Sequence, residues 1–269
     1  MPSEYTNFCP KKIVITDLPC GSGKTSKMIR TLKSDKLYLI VVPLLSEVKR
    51  VLDGTSHLDF EEPVKSTKEF GTKRAALLEL ILQRKSIVTT HQLYSDIGHL
   101  AAQGFLKNYN VIIDEVPGVI DVVKSLSRRS VDEFYINSGY LDVSQDGLCT
   151  VTSKWDSLFD VVSDTIDPSI KRYAQASNLY VCKQGTFITA LSKVLFSGCA
   201  SVEVLTYKSE GSYFLKYLEK MNLPYQLKID DALEADFKEK ARKLLTFAHT
   251  KALEEVNFTY SKQTKYSEK

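Results

Sequence analysis

Five short runs of apolar, mostly β-branched residues recur along this chain, and they constrain its fold more than any other feature. They are Ile13–Thr16 (IVIT), Leu37–Val42 (LYLIVV), Ser86–Thr89 (SIVT), Asn110–Asp114 (NVIID) and Val202–Thr206 (VEVLT). Successive residues, rather than alternate ones, are apolar, as in strands covered on both faces. Stretches with helical spacing lie between them. These are Thr25–Leu32, Leu44–Leu52, Thr67–Arg84 with Ala75, Leu77, Leu78, Leu80 and Ile81 on one stripe, and His91–Leu106. Strand and helix in alternation are the signature of βαβ units. The pattern predicts an α/β fold with a mostly parallel central sheet flanked by helices.

The alternation pauses after Pro117. Val119–Leu126, Ile166–Tyr173 and Phe187–Leu195 read as helical, and Tyr140–Val151 is rich in Gly, Asp and Ser. Residues 118–201 are therefore expected to form a helical or mixed insertion, a small subdomain between the fourth and fifth sheet strands. Residues 1–117 and 202–230 make up the core, with a helix over Ser212–Met221 and a last strand over Tyr225–Ile229. From 231 to 269 the chain reads as a charged helical tail, frayed after Tyr260. Its acidic and basic residues nearly balance, which marks a solvated face.

Composition narrows the class of protein. Of 269 residues, 43% are hydrophobic and 26% charged, enough apolar content to bury a core. No apolar run approaches the ~20 residues that span a bilayer, so no membrane partner is expected. The first residues, MPSEYTNFCPKK, lack the apolar centre of a signal peptide. Cys9, Cys20, Cys149, Cys182 and Cys199 have no paired spacing, so neither a zinc site nor a disulfide framework follows. A reducing compartment, cytoplasm or nucleus, is the expectation. The net charge of +3 permits a polyanionic partner without demanding one.

The first run leads directly into Leu18–Thr25, LPCGSGKT. Glycines at 21 and 23 let the backbone curl so that successive N–H groups point inward, and the helix beginning near Lys24 adds its positive end to the same hollow. A lysine there reaches the β- and γ-phosphates of a nucleotide, and a threonine hydroxyl can hold Mg²⁺. The stretch is expected to be a phosphate-binding loop for ATP, formed by Pro19, Cys20, Gly21, Ser22, Gly23, Lys24, Thr25 and Ser26. Residues 110–117, NVIIDEVP, form an apolar strand ending in two acids. At the carboxyl end of a parallel strand, Asp114 would sit beside that loop and hold Mg²⁺ together with Thr25. Glu115 would then orient or deprotonate the attacking water, with Lys24 as the second catalytic group.

The string PCGSGKT resembles the PTGSGKT form of the loop in superfamily 1 and superfamily 2 (DEAD/DEAH-like) helicases. Cys20 stands where that form has Thr, and Leu18 where the general pattern has its first glycine. NVIIDEVP resembles the Walker B box of the same families. Residues 41–51, VVPLLSEVKRV, resemble a helicase segment in which a proline and the helix after it contact the nucleic-acid backbone; Pro43 equally fits a plain helix start at N1. Residues 86–94, SIVTTHQLY, resemble a further segment, which implies that Thr90 and His91 lie near nucleic acid; Thr90 equally reads as an N-cap. Residues 205–219, LTYKSEGSYFLKYLE, occupy the place of the coupling motif. Thr206 matches it, Ser209 offers a second hydroxyl, and Lys208 also reads as a plain surface charge. The tyrosines, as in KRY at 171–173, suit either base stacking or core packing.

The resemblance implies the first RecA-like P-loop ATPase domain of a helicase or translocase, of viral or phage type. It would use ATP and Mg²⁺ and act on DNA or RNA, most simply single-stranded. It also implies a second RecA-like domain, in cis or in trans, that supplies an arginine finger. The chain extends only about 50 residues past the coupling position, short of a second domain. No Q-x-x-G-R-x-x-R string or adenine-reading glutamine is evident, so weak hydrolysis by this chain alone is expected. A P-loop kinase of a small substrate is one competing reading; it calls for a lid with several arginines after the core, and the clearest arginine cluster is only Arg128-Arg129. A non-catalytic, nucleotide-dependent module that binds nucleic acid or protein is the other.

Overall fold

The computed structural model describes residues 13–65, 71–157 and 166–246. Cys9, the start of the helix expected from Thr67, and the tail beyond residue 246 lie outside them. Strand β1 (Ile13–Asp17) passes through the glycine loop to helix α1 (Lys24–Thr31), and β2 (Leu37–Val42) leads to α2 (Leu45–Gly54). A two-residue strand β3 (Phe60–Glu61) and α3 (Lys73–Leu82) come before β4 (Ser86–Thr90). Two five-residue helices, α4 (His91–Ser95) and α5 (Gly98–Ala102), replace the single helix expected over 91–106 and lead to β5 (Tyr109–Asp114).

The next segment holds β6 (Ile120–Ser125), α6 (Arg128–Val131) running into a π-helical turn at Asp132–Ile136, and the strand pair β7 (Leu141–Val143) and β8 (Cys149–Val151). After these come α7 (Ser153–Asp156), α8 (Pro168–Gln175), β9 (Leu179–Val181), β10 (Thr186–Ala190) and α9 (Val194–Ser197). The chain then returns through β11 (Ser201–Thr206), α10 (Tyr213–Lys220) and β12 (Tyr225–Ile229).

The central sheet has seven strands in the order β12-β1-β11-β5-β2-β4-β3, paired in parallel throughout. The α/β class with a parallel sheet flanked by helices is therefore what the sequence builds. Both faces are covered. On one, Ile13, Ile15, Leu39, Val41, Val111 and Ile113 meet Leu77 of α3, Leu100 of α5 and Phe214 of α10. On the other, Ile40, Val42, Val88 and Ile112 meet Met28 of α1 and Val48 and Val51 of α2. Burying each such side chain stabilises the fold by about 1.5–3 kcal/mol, which is why successive rather than alternate residues of the runs are apolar.

The described residues between 120 and 190 build a separate three-stranded antiparallel sheet, β6-β10-β9, and the β7-β8 pair. Their own apolar cluster centres on Tyr135, with the Trp155 ring centroid 5.9 Å away and that of Phe187 5.3 Å away. Two sequence expectations are corrected here: Val119–Leu126 contains strand β6, and Phe187–Leu195 runs from within strand β10 and becomes helical only at Val194, where α9 starts. The helix expected near Ile166–Tyr173 is present as α8, where Pro168 starts the helix and the Asp167 carboxylate caps it by accepting from the Ser169 N–H at 2.9 Å.

The described residues up to Asp230 form one compact unit and those from Asp231 a second. The second begins with α11 (Asp231–Leu244), which carries i,i+4 ion pairs Glu234–Lys238, Asp236–Lys240 and Glu239–Lys243 and has no buried residue. This is the solvated, charge-balanced face that the sequence indicated.

Candidate functional site

The loop between β1 and α1 takes its shape from two glycines. Gly21 has φ 73° and Gly23 φ 78°, left-handed values that cost most other residues about 1 kcal/mol or more. An added Cβ at either position would meet nothing within 4 Å, so the glycines answer a backbone requirement and the space around them is open. Gly23 is also the N-cap of α1 and brings no side chain to it. Thr72, Asp167 and Ser212 cap α3, α8 and α10 with hydrogen bonds, whereas no side-chain cap bond closes the first turn of α1. The Ser22 hydroxyl within the loop is buried without a partner. Pro19 is buried, while Cys20, Gly21, Gly23 and Ser26 are exposed.

Lys24 folds back over the loop, donating from Nζ to the carbonyl oxygens of Leu18 at 2.6 Å and Pro19 at 3.1 Å. Thr25, on the first turn of α1, donates from Oγ1 to Asp114 Oδ2 at 2.8 Å. That bond joins residues 89 positions apart. It forms because β11 is the single strand between β1 and β5, with Asp17 paired to Thr206 and Leu205 to Asp114. The ends of the three strands thus line up at the carboxyl edge of the sheet, where ligands gather in folds of this kind.

Asp114 is buried and the next residue, Glu115, is exposed. Glu115 has φ 64°, and its N–H donates to Leu205 O at 2.8 Å. A non-glycine residue held in this region is a local strain that packing must maintain, and such strain clusters at functional sites. His91, which opens α4, donates from Nε2–H to the main-chain oxygen of Asp114 at 2.9 Å. Burial lowers its pKa below the usual imidazole value, and the bond to the Asp114 carbonyl only partly opposes this. A cavity of about 370 Å³ beside it is lined by His91, Gln92, Pro117, Asp121, Tyr173 and Asn178, among others.

Thr206 and Ser209 are both buried and both tied to the root of the loop. The Leu18 N–H donates to Thr206 O at 3.0 Å. The Asp17 carboxylate accepts from the N–H groups of Lys208 and Ser209, each at 2.8 Å, and from the Ser209 hydroxyl at 2.6 Å. Pro43 is half-buried at the end of β2, but Leu44 is the N-cap of α2, so the proline precedes the helix and is not at N1. Thr90 does occupy the N-cap position of α4, without a side-chain cap bond.

Two residues of the site escape a reading of the sequence. Asp17 is one. Arg50 of α2 is the other: its Nη2 lies 2.5 Å from Glu47 Oε2 and 3.8 Å from Asp114 Oδ2. Glu47 and Arg50 look like an ordinary i,i+3 surface pair in sequence. Only the placement of β2 beside β5 brings α2 over the acid.

Fold and site together define an α/β protein with a parallel sheet. A glycine loop, a lysine and a threonine stand at the end of one strand, and a buried aspartate stands two strands away. No family model matches the chain. It is 23% identical over 231 residues to the SPbeta prophage-derived uncharacterized protein YonV of Bacillus subtilis (strain 168), an alignment that covers 81% of this chain and 54% of that protein. The chain thus spans about half the length of this curated relative. Among solved structures it is similar to an apo XPD chain, with TM-score 0.40 and 14% identity over 81% of this chain and 54% of the other. It is similar also to S. tokodaii Xpd4, with TM-score 0.37 and 14% identity over 81% of this chain and 57% of the other. Among the described residues, no helix is long and apolar enough to cross a membrane.

Proposed function

We propose that the chain binds ATP with Mg²⁺ at the glycine loop and hydrolyses it as the motor domain of a helicase or translocase acting on DNA or RNA. The observation that carries this reading is the 2.8 Å bond from Thr25 to Asp114. It joins a threonine at the start of α1 to a carboxylate borne on another strand, the pairing that a phosphate-bound divalent ion needs. The surroundings fit a triphosphate as well: open space over Gly21 and Gly23, uncapped first-turn amides, and a lysine that, among the described residues, donates to carbonyls of its own loop.

In this reading Lys24 exchanges those carbonyls for the β- and γ-phosphates, and Thr25 and Asp114 hold the metal. When bound, Mg²⁺ would neutralise charge on the phosphates. Glu115 orients the attacking water from its exposed position at the sheet edge. Thr206, Ser209 and Asp17 carry the state of the loop toward whatever domain faces it. Pro43, Thr90 and His91 lie along the same carboxyl edge and are proposed as contacts to a single strand. A second RecA-like domain, in cis or in trans, would complete the site with a further cation, so hydrolysis by this chain alone is slow. The kinase reading is weaker here: Arg128 and Arg129 are engaged by Asp132 and Glu133 within their own helical segment.

The test is phosphate release measured with and without single-stranded DNA and RNA, next to equilibrium binding of a fluorescent ATP analogue. Binding that is lost in Lys24→Ala, and slow release that is lost in Glu115→Gln, are expected. Turnover that survives both substitutions removes the proposal.

A further inference from the structure

Asp114 has a cationic neighbour that the nucleotide-binding reading does not use. Its side chain is only 10% exposed, so its carboxylate is largely withdrawn from water. A withdrawn carboxylate is costly unless something positive or hydrogen-bonding faces it. The Thr25 hydroxyl supplies one hydrogen bond to Oδ2. Arg50 supplies the charge: its Nη2 stands 3.8 Å from the same Oδ2, too far for a strong hydrogen bond but close for Coulomb attraction.

Arg50 has a second partner. The same Nη2 is 2.5 Å from Glu47 Oε2 on the preceding turn of α2. The guanidinium is itself 54% exposed, and Glu47 is 29% exposed. The cation therefore bridges a deep acid and a shallow one, with its own body in water. Leaving Asp114 costs it little, because Glu47 and solvent still satisfy it. A divalent ion held at Asp114 would take over the neutralising role and repel the guanidinium.

We propose that Arg50 is a positioning residue that acts through Asp114: it neutralises the carboxylate when no metal is bound, and so sets the Mg²⁺ concentration at which nucleotide is held. This inference rests on the reading of Asp114 as the metal-holding acid. It adds a competitor, built into α2, for the same carboxylate.

The experiment titrates Mg²⁺, buffered with EDTA, against binding of a fluorescent ADP analogue to wild type, Arg50→Gln, Arg50→Lys and Asp114→Asn. Removing the competing charge should lower the half-saturating Mg²⁺ concentration in Arg50→Gln by about two- to fivefold, the range for a partly exposed ion pair. Arg50→Lys should stay near wild type. In an Asp114→Asn background, Arg50→Gln should produce no such shift. A gain in apparent metal affinity is not what a damaged fold yields, so the direction separates this role from a structural one. An unchanged or raised Mg²⁺ requirement in Arg50→Gln overturns the inference while leaving the nucleotide site standing. Wild type that binds no nucleotide at any Mg²⁺ concentration removes the nucleotide site and this inference together.

Discussion

Replacing Asp17 by Asn should loosen the joint between the glycine loop and the segment after β11. The carboxylate takes one donor on Oδ1, the Lys208 N–H, and two on Oδ2, the N–H and hydroxyl of Ser209. An amide keeps the shape but turns one oxygen into a donor. Whichever way it faces, at least one backbone N–H then meets an N–H, and the remaining bonds lose their charge assistance. A hydrogen bond to a charged group contributes about 1.5–3 kcal/mol, and Asp17 is only half-buried, so the lower end applies and the net loss is about 2 kcal/mol. For a unit of this size that corresponds to a fall of roughly 4–8 °C in Tm. Lys208, held at φ 62°, is one of the two residues whose N–H bond to residue 17 is at stake. Urea unfolding followed by circular dichroism, with Ser209→Ala as a companion that removes one hydroxyl bond and costs about 1 kcal/mol, measures the effect. Should Asp17→Asn lie within about 0.5 kcal/mol of wild type, the joint is not held as described.

Two further outcomes are expected. In Gly185→Ala the new Cβ would stand 2.6 Å from Arg128 N and from Leu126 O, at φ 95°, so a loss of about 3 kcal/mol or more should appear as a lower urea midpoint. Stability should also fall between pH 7.5 and 5.5. Burial holds the pKa of His91 and of His99 below the usual value, so the unfolded chain binds more protons; the contribution is whole above about pH 6.5 and is lost as pH drops toward the native values. The slope is below about 1.4 kcal/mol per pH unit for each ring, because each ring takes up at most one proton. His91→Asn should flatten it, and a slope that His91→Asn leaves unchanged would refute the assignment. Asp96, raised by burial, acts in the opposite sense toward the acid end.

The central sheet was legible because its strands are apolar on successive residues, a pattern that no amphipathic helix shares. Strands β6 and β10 were not, for a common reason. Val119, Ile120, Val122 and Val123, and likewise Phe187, Ile188, Ala190 and Leu191, place apolar residues at i, i+1, i+3 and i+4. That spacing satisfies a helix, whereas strict alternation would mark a strand. The pairing of β10 with β6 shifts register between Phe187 and Ile188, and an irregularity there breaks the alternation. At the site, Lys24 and Thr25 could be read from local spacing, and Asp114 from its place at a strand end. Arg50 and Asp17 could not, because their roles depend on which strands become neighbours, and strand order is not written in any one segment.

One small contact near the second sheet reaches further than its size suggests. The Leu191 N–H donates to Val119 O at 3.0 Å, so the two legs of the segment between β5 and β11 touch where they leave the core. The Tyr217 hydroxyl of α10 anchors the same place by donating to Leu191 O. The length of chain between those feet is therefore not set by the spacing of β5 and β11, although a Cβ on Gly98 of α5 would stand 2.8 Å from Ala176 O, so the segment also packs closely on the core.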